Sequence, residues 1–181
     1  MVAESNPAPA GSDRFVEHWR ALAAGGLIPT LTDFLDQPDP RFAPRLFIVD
    51  VDGDGRMPVR LIGTRYAEYF GEVTGRDFLD LVAAEIRQFS IRAHALVCAT
   101  PCGWLTQARA ITTSGREVLA ETVTLPLLRR GRVCSVVKCG MVVEQLAFRE
   151  AVTVVQSIHD HRWIDIGAGI PTGTALPALP G

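Results

Sequence analysis

Residues 59–82, VRLIGTRYAEYFGEVTGRDFLDLV, decide the fold of this chain. The first four residues alternate as a strand does, and a Gly-Thr pair then supplies a turn and a helix N-cap. A short helix should follow, because Tyr66, Tyr69 and Phe70 share one face at steps of three and four. A second turn at residues 74–77 leads into another short apolar helix. The unit is strand, short helix, glycine turn, short helix.

That order, with the residues RLIGTRYAEYFGEVTGRDFLDL, resembles the strand-to-helix passage of a PAS domain. More closely, it resembles a bacterial subfamily of mostly stand-alone PAS-fold proteins of unknown function, which share an R-L-x-G-T…G…T-G-R pattern. The resemblance covers roughly residues 15–145. It implies a five-stranded antiparallel sheet in the order 2-1-5-4-3, helices on one face, and a pocket between helices and sheet.

The flanking sequence supplies the other elements of an α+β fold. Residues 46–51 are an apolar run of strand length, and residues 83–100 are apolar at the spacing of a long helix. Beyond that helix the period changes to two over three segments joined by short turns, which predicts an antiparallel meander. The three segments are residues 104–112, 117–128 and 133–146.

The N-terminal part divides into a tail and a helix. Residues 1–13 are rich in Ala, Pro, Ser and Asn, so we expect disorder there, followed by a PAS-like domain over residues 14–146. Phe15, Trp19 and Leu22 lie on one face of an amphipathic helix. In proteins of this kind such a helix often packs on a second copy, so these residues are candidates for a homodimer interface. The alternative is that the same face covers the chain's own sheet.

The C-terminal extension, residues 147–181, ends in a Pro/Gly-rich tail. Its first part, 147–166, carries apolar residues at helical spacing, and we expect a helix, although residues 152–155 also have strand propensity. The fifth strand is apolar on both faces apart from Ser135 and Lys138, so something must cover its second face. The candidates are the N-terminal helix, the C-terminal segment or a partner subunit.

Composition narrows the class of protein. The chain has 181 residues, 48% of them hydrophobic and 21% charged, as expected for one globular domain. Its net charge of −2 provides no basic field for nucleic acid or an anionic membrane. A signal-peptide pattern and a long apolar run are both missing from the sequence, so we expect a cytoplasmic protein with reduced, buried cysteines. The cysteines are Cys98, Cys102, Cys134 and Cys139.

The resemblance also suggests which side chains line the pocket, or fill it if no ligand binds. They come from the central unit, the long helix and the third strand. The candidates are Tyr66, Phe70, Phe78, Phe89, Ala93, Trp104 and Arg109. Arg60 and Arg109 stand within apolar strands, where an arginine either reaches the edge or meets an anion.

No cofactor can be assigned from the sequence. Some PAS domains donate a histidine to haem iron from the long helix, where this chain has His94, but His94 falls outside the apolar stripe and we expect it to face solvent. Flavin-binding photosensory PAS domains also resemble the chain at residues 75–76. They need a cysteine where this chain has Phe78, so neither haem nor flavin is expected.

We also predict no metal site. The acidic loop at residues 50–55 resembles the start of a calcium loop, but its twelfth position is Leu61 instead of Glu, and a hairpin turn explains it better. His159 and His161 would converge only on an extended strand, and we expect a polar loop there. Core packing accounts for the cysteines.

The leading functional hypothesis is a stand-alone PAS-type sensory module that binds a small molecule, a signalling partner protein, or both. The sequence has no G-x-S-x-G, H-E-x-x-H or Walker pattern. Two alternatives stay open: a ligand-free adaptor, and a small cone-shaped α+β enzyme of the isomerase or dehydratase type. For the enzyme, the residues to suspect are Tyr66, Tyr69, His94 and Asp77.

Overall fold

The structure, a computed structural model, describes residues 10–51, 53–142, 150–172 and 176. The predicted α+β class is confirmed, with six strands, four α-helices and two short 3-10 helices, at Ala43–Arg45 and Phe78–Leu81, in the described residues. The α-helices and strands are α1 (Ala10–Ala21), α2 (Leu31–Asp36), β1 (Leu46–Asp50), β2 (Val59–Ile62), α3 (Thr64–Phe70), α4 (Ala84–Ala99), β3 (Gly103–Thr112), β4 (Glu117–Arg129), β5 (Arg132–Val142) and β6 (Val152–Ile164).

The strands form one antiparallel sheet in the order β2-β1-β5-β4-β3-β6. Its first five members have the 2-1-5-4-3 order that the PAS resemblance implies. The sixth strand corrects the prediction of a helix and of a polar loop over residues 147–166. Val152 to Ile164 pair along β3, which would otherwise be an unpaired edge, so sheet pairing prevailed over a helical apolar pattern.

Helices cover both faces of the sheet. The segment from α3 to α4 packs on one face, and α1 and α2 pack on the other. Phe15 and Trp19 of α1 have no exposed surface, and the indole Nε1 of Trp19 donates a hydrogen bond to the Pro126 carbonyl at 3.0 Å. The N-terminal helix is therefore the element that covers the second face of β5. The chain's own core buries Phe15, Trp19 and Leu22. In this arrangement the apolar face of the helix covers the chain's own sheet, which is the alternative to a dimer interface.

Helix α1 begins at Ala10, four residues before the predicted start. The prediction of disorder was wrong for residues 10–13, because Ser12 is buried and its hydroxyl donates to a carboxylate oxygen of Glu121 on β4 at 2.6 Å. The rest of the predicted N-terminal disorder, residues 1–9, lies outside the described residues. So do the predicted strand end at 143–146 and most of the Pro/Gly tail.

The four cysteines are free thiols, as predicted. Cys102 and Cys139 are buried, whereas Cys98 and Cys134 are partly exposed. Among the described helices, none has the length and apolar character needed to cross a membrane.

Candidate ligand-binding site

A cavity of about 80 Å³ lies between the helical segment and the sheet. Its walls come from α3, the 3-10 helix at Phe78–Leu81, α4 and the facing side chains of β3 to β6. An engineered apolar cavity of roughly 150 Å³ is enough for benzene. A cavity of about half that size suits an occupant of about three to five non-hydrogen atoms, on that comparison.

Four of the seven predicted ligand-binding residues line this cavity. Each of the four contributes an aromatic side chain to the wall: Tyr66, Phe70, Phe78 and Trp104. Most of the remaining wall is small or apolar, with Ala108, Ala110 and Val118 along β3 and β4. The wall is therefore apolar with a few polar positions, as in many small-molecule sites.

The other three predicted residues lie away from the cavity. Phe89 and Ala93 are buried in α4 within the same core cluster, and the Phe89 ring packs behind Trp104 with centroids 6.0 Å apart. Arg109 is exposed and lies 3.4 Å from the Glu117 carboxylate. Side chains alternate along a strand, so Trp104 and Arg109 of β3 point to opposite faces and cannot share one pocket.

The position of Tyr66 depends on a glycine in the sheet. A Cβ added at Gly140 would lie 1.1 Å from the Tyr66 hydroxyl oxygen, so the phenol occupies the space that any larger residue of β5 would fill. The Tyr66 ring also packs against Phe47, with centroids 4.9 Å apart. Burial raises the pKa of the Tyr66 hydroxyl far above its ordinary value. The phenol is therefore a neutral part of the cavity wall.

The most unusual group at the cavity is Lys138 of β5. Its side chain is buried, and its Nζ lies 2.9 Å from Nε2 of His94 on α4 and 3.1 Å from the Thr124 hydroxyl on β4. His94 Nδ1 lies 2.7 Å from the Ser90 carbonyl oxygen. Because a carbonyl can only accept, Nδ1 carries the ring proton, and Nε2 accepts from the Lys138 amine.

Both members of this pair are driven toward their neutral forms. Burial lowers the pKa of Lys138 from its ordinary 10.5 to about 7. Burial, with a smaller contribution from the Lys138 charge, lowers the pKa of His94 well below its ordinary 6.5. At neutral pH the cavity therefore contains a neutral imidazole beside an amine whose charged form is disfavoured by burial.

Aromatic faces replace a counter-ion at Lys138. The Nζ atom lies 4.9 Å from the Phe78 ring centroid and 5.6 Å from the Trp104 ring centroid, within the range of cation–π attraction. Among the described residues, no carboxylate pairs with Lys138. The buried Trp104 Nε1–H likewise has no hydrogen-bond acceptor in the described part of the chain. Within the described residues, Lys138 thus has neutral acceptors but no anion, and the Trp104 N–H has no acceptor.

Sequence reasoning missed Lys138 as a site residue and misplaced His94. His94 is 1% exposed and lines the cavity, so the expectation that it faces solvent was wrong. The apolar pattern of β5 did single out Lys138, and a lysine on the inner face of a doubly covered strand was the available signal. Its partner could not be found, because His94 is 44 residues away in the sequence.

The acidic loop and the histidine pair have other environments. Asp50 is buried, with its carboxylate contacted by Arg60, Arg129 and the Ser135 hydroxyl, so Arg60 does meet an anion. The segment that carries His161 is the strand β6 instead of a loop. Within the described ranges, no group of three His, Cys, Asp or Glu side chains is placed to hold a metal ion.

A second hollow, of about 330 Å³, lies on the other face of the sheet, between α2 and the β1–β2 edge. It is more open than the aromatic cavity, and its acidic group is already paired, since Asp39 accepts from Arg41. Within the described residues, the wall of this hollow contains no buried polar side-chain atom that lacks a hydrogen-bond partner. The aromatic cavity is therefore the better candidate for a specific site.

Comparison with protein families matches the PAS domain over residues 8–140. Because the match covers more than half of the chain, the protein belongs to the PAS domain family. PAS domains are sensory and signalling modules, and family membership indicates that role here. A search of curated proteins finds no match.

Proposed function

We propose that this PAS domain is a sensory module that binds a small molecule in the aromatic cavity and signals to a partner protein. The observation that carries the proposal is the cavity itself, whose largely apolar wall includes the buried amine of Lys138 and the ring of Trp104, a residue whose indole N–H has no acceptor among the described residues. Empty cavities that stay unfilled are usually lined by apolar side chains alone. Polar groups that face a cavity are the usual means of orienting a ligand.

Signal output in this proposal runs through populations of two states. A ligand that fills the cavity changes the packing of α3 and α4 on the sheet, and a partner that prefers one arrangement then binds more tightly. We also propose that the protein is a homodimer. Since Phe15, Trp19 and Leu22 are buried in the chain's own core, the dimer would use other surface residues.

The first experiment is native mass spectrometry of freshly purified protein, repeated under denaturing conditions. We expect a dimer that carries a small mass lost on denaturation. Ala110→Leu adds bulk to the cavity wall, whereas Gln156→Leu adds the same side chain at an exposed position of β6. Loss of the small mass in the first variant alone supports the site. An empty wild-type protein that also fails to bind any added small molecule would overturn the proposal.

A second candidate function is a small enzyme that moves a proton. It is favoured by the contact between the Lys138 amine and the neutral His94 imidazole, since a buried base of near-neutral pKa suits general base catalysis. Asp77, suspected on sequence grounds, is not part of this arrangement, because its carboxylate accepts from the backbone N–H of Leu79. Incubation of the protein with the recovered small molecule separates the two functions. An enzyme converts the small molecule into a different compound, whereas a binding module releases it unchanged.

A further inference from the structure

Lys138 is a buried cation site without a buried anion. Its described neighbours are neutral: the His94 imidazole, the Thr124 hydroxyl and two aromatic rings. A charged amine that leaves water without a counter-ion is strongly unfavourable, whereas the same amine beside an anion is compensated. The cavity next to Nζ is the place where such an anion can sit.

We propose that the cavity binds a small monocarboxylate, whose carboxylate pairs with Lys138 and whose short alkyl part contacts the apolar wall. This inference rests on the proposed small-molecule binding and specifies the chemistry of the ligand. The size of the cavity, about 80 Å³, fits acetate or propionate, which have four and five non-hydrogen atoms.

The second donor at the cavity supports a carboxylate over a neutral molecule. The Trp104 indole N–H is buried and has no acceptor among the described residues, although its ring lines the cavity. A carboxylate has two oxygens, so one can accept from Lys138 and the other from Trp104. Charge-assisted hydrogen bonds of this kind are stronger than neutral ones.

The apolar wall selects the rest of the ligand. Ala108 and Ala110 of β3, Val118 of β4 and Val155 of β6 all line the cavity. These side chains offer no hydrogen bonds, so the part of the ligand in contact with them should be alkyl, whereas hydroxyl groups of other residues, among them Thr106 and Thr122, also line the cavity. A monocarboxylate with one or two carbon atoms beyond the carboxyl group matches both ends of the site.

Binding of a carboxylate should also be linked to protonation of Lys138. Among the described residues, the titratable side chains that line the cavity with Lys138 are His94 on α4 and Tyr66 and Tyr69 on α3, and burial holds His94 and Tyr66 neutral. Above pH 7 the free amine is mostly neutral, and it must take up a proton when the anion binds. The affinity should therefore fall about tenfold for each pH unit between about pH 7.5 and 9.5.

The test uses isothermal titration calorimetry of the full chain with sodium propionate and with propionamide, its neutral isostere, at constant ionic strength. We expect propionate to bind at least tenfold more tightly than propionamide, with the stated decline above pH 7.5. Lys138→Met should abolish the preference for propionate, and Trp104→Phe should weaken it about tenfold. Arg92→Met, which removes an exposed charge from α4, should change neither value.

The wild-type measurements alone can overturn the proposal, even if a cavity variant fails to fold. Equal affinities for propionate and propionamide, with both lost in Ala110→Leu, would reject the carboxylate and leave small-molecule binding intact. Propionate affinity that is independent of pH and unchanged in Lys138→Met would place the anion away from Lys138. Absence of binding by acetate and propionate would reject the ligand class, whereas mass spectrometry would still decide whether the cavity holds another molecule.

Discussion

Lys138 Nζ of β5 lies 2.9 Å from His94 Nε2 of α4, and this contact joins the sheet to the long helix across the cavity. The His94 ring packs edge to face on Trp104, with centroids 5.3 Å apart. A polar contact in this position costs desolvation that an apolar pair would avoid. This cost is one reason why we propose a role for the contact in ligand recognition.

The first prediction concerns the pH dependence of stability. Between about pH 7 and 10.5 the unfolded chain keeps Lys138 protonated and the folded chain does not, so this group makes the free energy of unfolding rise with pH. The slope is at most about 1.4 kcal/mol per pH unit. Urea unfolding at pH 6.5, 7.5, 8.5 and 9.5 should show that slope as a growing difference between wild type and Lys138→Met.

The prediction concerns how the stability difference between wild type and Lys138→Met changes with pH. The size of the difference at any one pH includes a second effect, because the variant leaves His94 Nε2 without its hydrogen-bond donor. Cysteine ionisation is common to both proteins and cancels. Arg92→Met provides the control, and its difference from wild type should stay constant with pH. Parallel curves for wild type and Lys138→Met would show that the buried amine keeps an ordinary pKa.

The second prediction concerns Gly140, whose added Cβ would overlap the Tyr66 hydroxyl. Gly140→Ala should destabilise the protein by about 1–3 kcal/mol, because the phenol has to move. Tyr66→Phe removes the nearest overlapping atom and leaves the ring carbon Cζ at 2.4 Å from the added Cβ, so the double variant should lose somewhat less stability than the sum of the two single changes. Thermal or urea unfolding of all four proteins measures this coupling.

Gly53→Ala is the matched control for that cycle. An added Cβ at Gly53 meets no atom within 4 Å, so the change should be close to neutral. Strict additivity of Gly140→Ala and Tyr66→Phe would contradict the packing of Tyr66 on β5.

The third prediction concerns the role of α1. Trp19 is fully buried against the sheet and donates to the Pro126 carbonyl, so Trp19→Ala should cost about 3–5 kcal/mol. Glu17 is exposed on the same helix, and Glu17→Ala should change stability by less than about 0.5 kcal/mol. Chemical unfolding monitored by circular dichroism measures both. A folded Trp19→Ala monomer with wild-type stability would instead return Trp19 to a subunit interface.

Much of the fold could be predicted because it is encoded locally. The apolar run of β1, the alternation in β2 to β5 and the helical spacing of α4 predicted their elements within a few residues, and the resemblance in residues 59–82 supplied the strand order. The sixth strand was missed, since its pairing partner β3 lies 40 residues or more away in sequence. Local propensity could not decide between a helix stripe and an edge-covering strand.

The position of a site residue was predictable only where the pattern of a single strand or helix determined which way its side chain points. The period of two along β3 places Trp104 inside and Arg109 outside, so that the error with Arg109 was avoidable. The pairing of Lys138 with His94 depends instead on how α4 sits on β5. Neither residue's sequence neighbours carry that information, and a buried histidine has no linear signature.

The last prediction concerns acid unfolding through Asp50. Burial alone would raise the pKa of this carboxyl, but hydrogen bonds from Arg60 and Ser135 and the charges of Arg60 and Arg129 outweigh burial and lower it. A lowered folded pKa stabilises the protein above pH 3.8, and this stabilisation is lost as the pH falls through the folded value. Asp50→Asn should therefore be less stable by about 1–3 kcal/mol at pH 7. The difference from wild type should shrink below pH 4.

Asp36→Asn, at an exposed position, should track wild type throughout. Urea unfolding from pH 7 to pH 2.5 measures all three, and a difference that persists unchanged at pH 2.5 would mean that Asp50 acts through its shape instead of its charge.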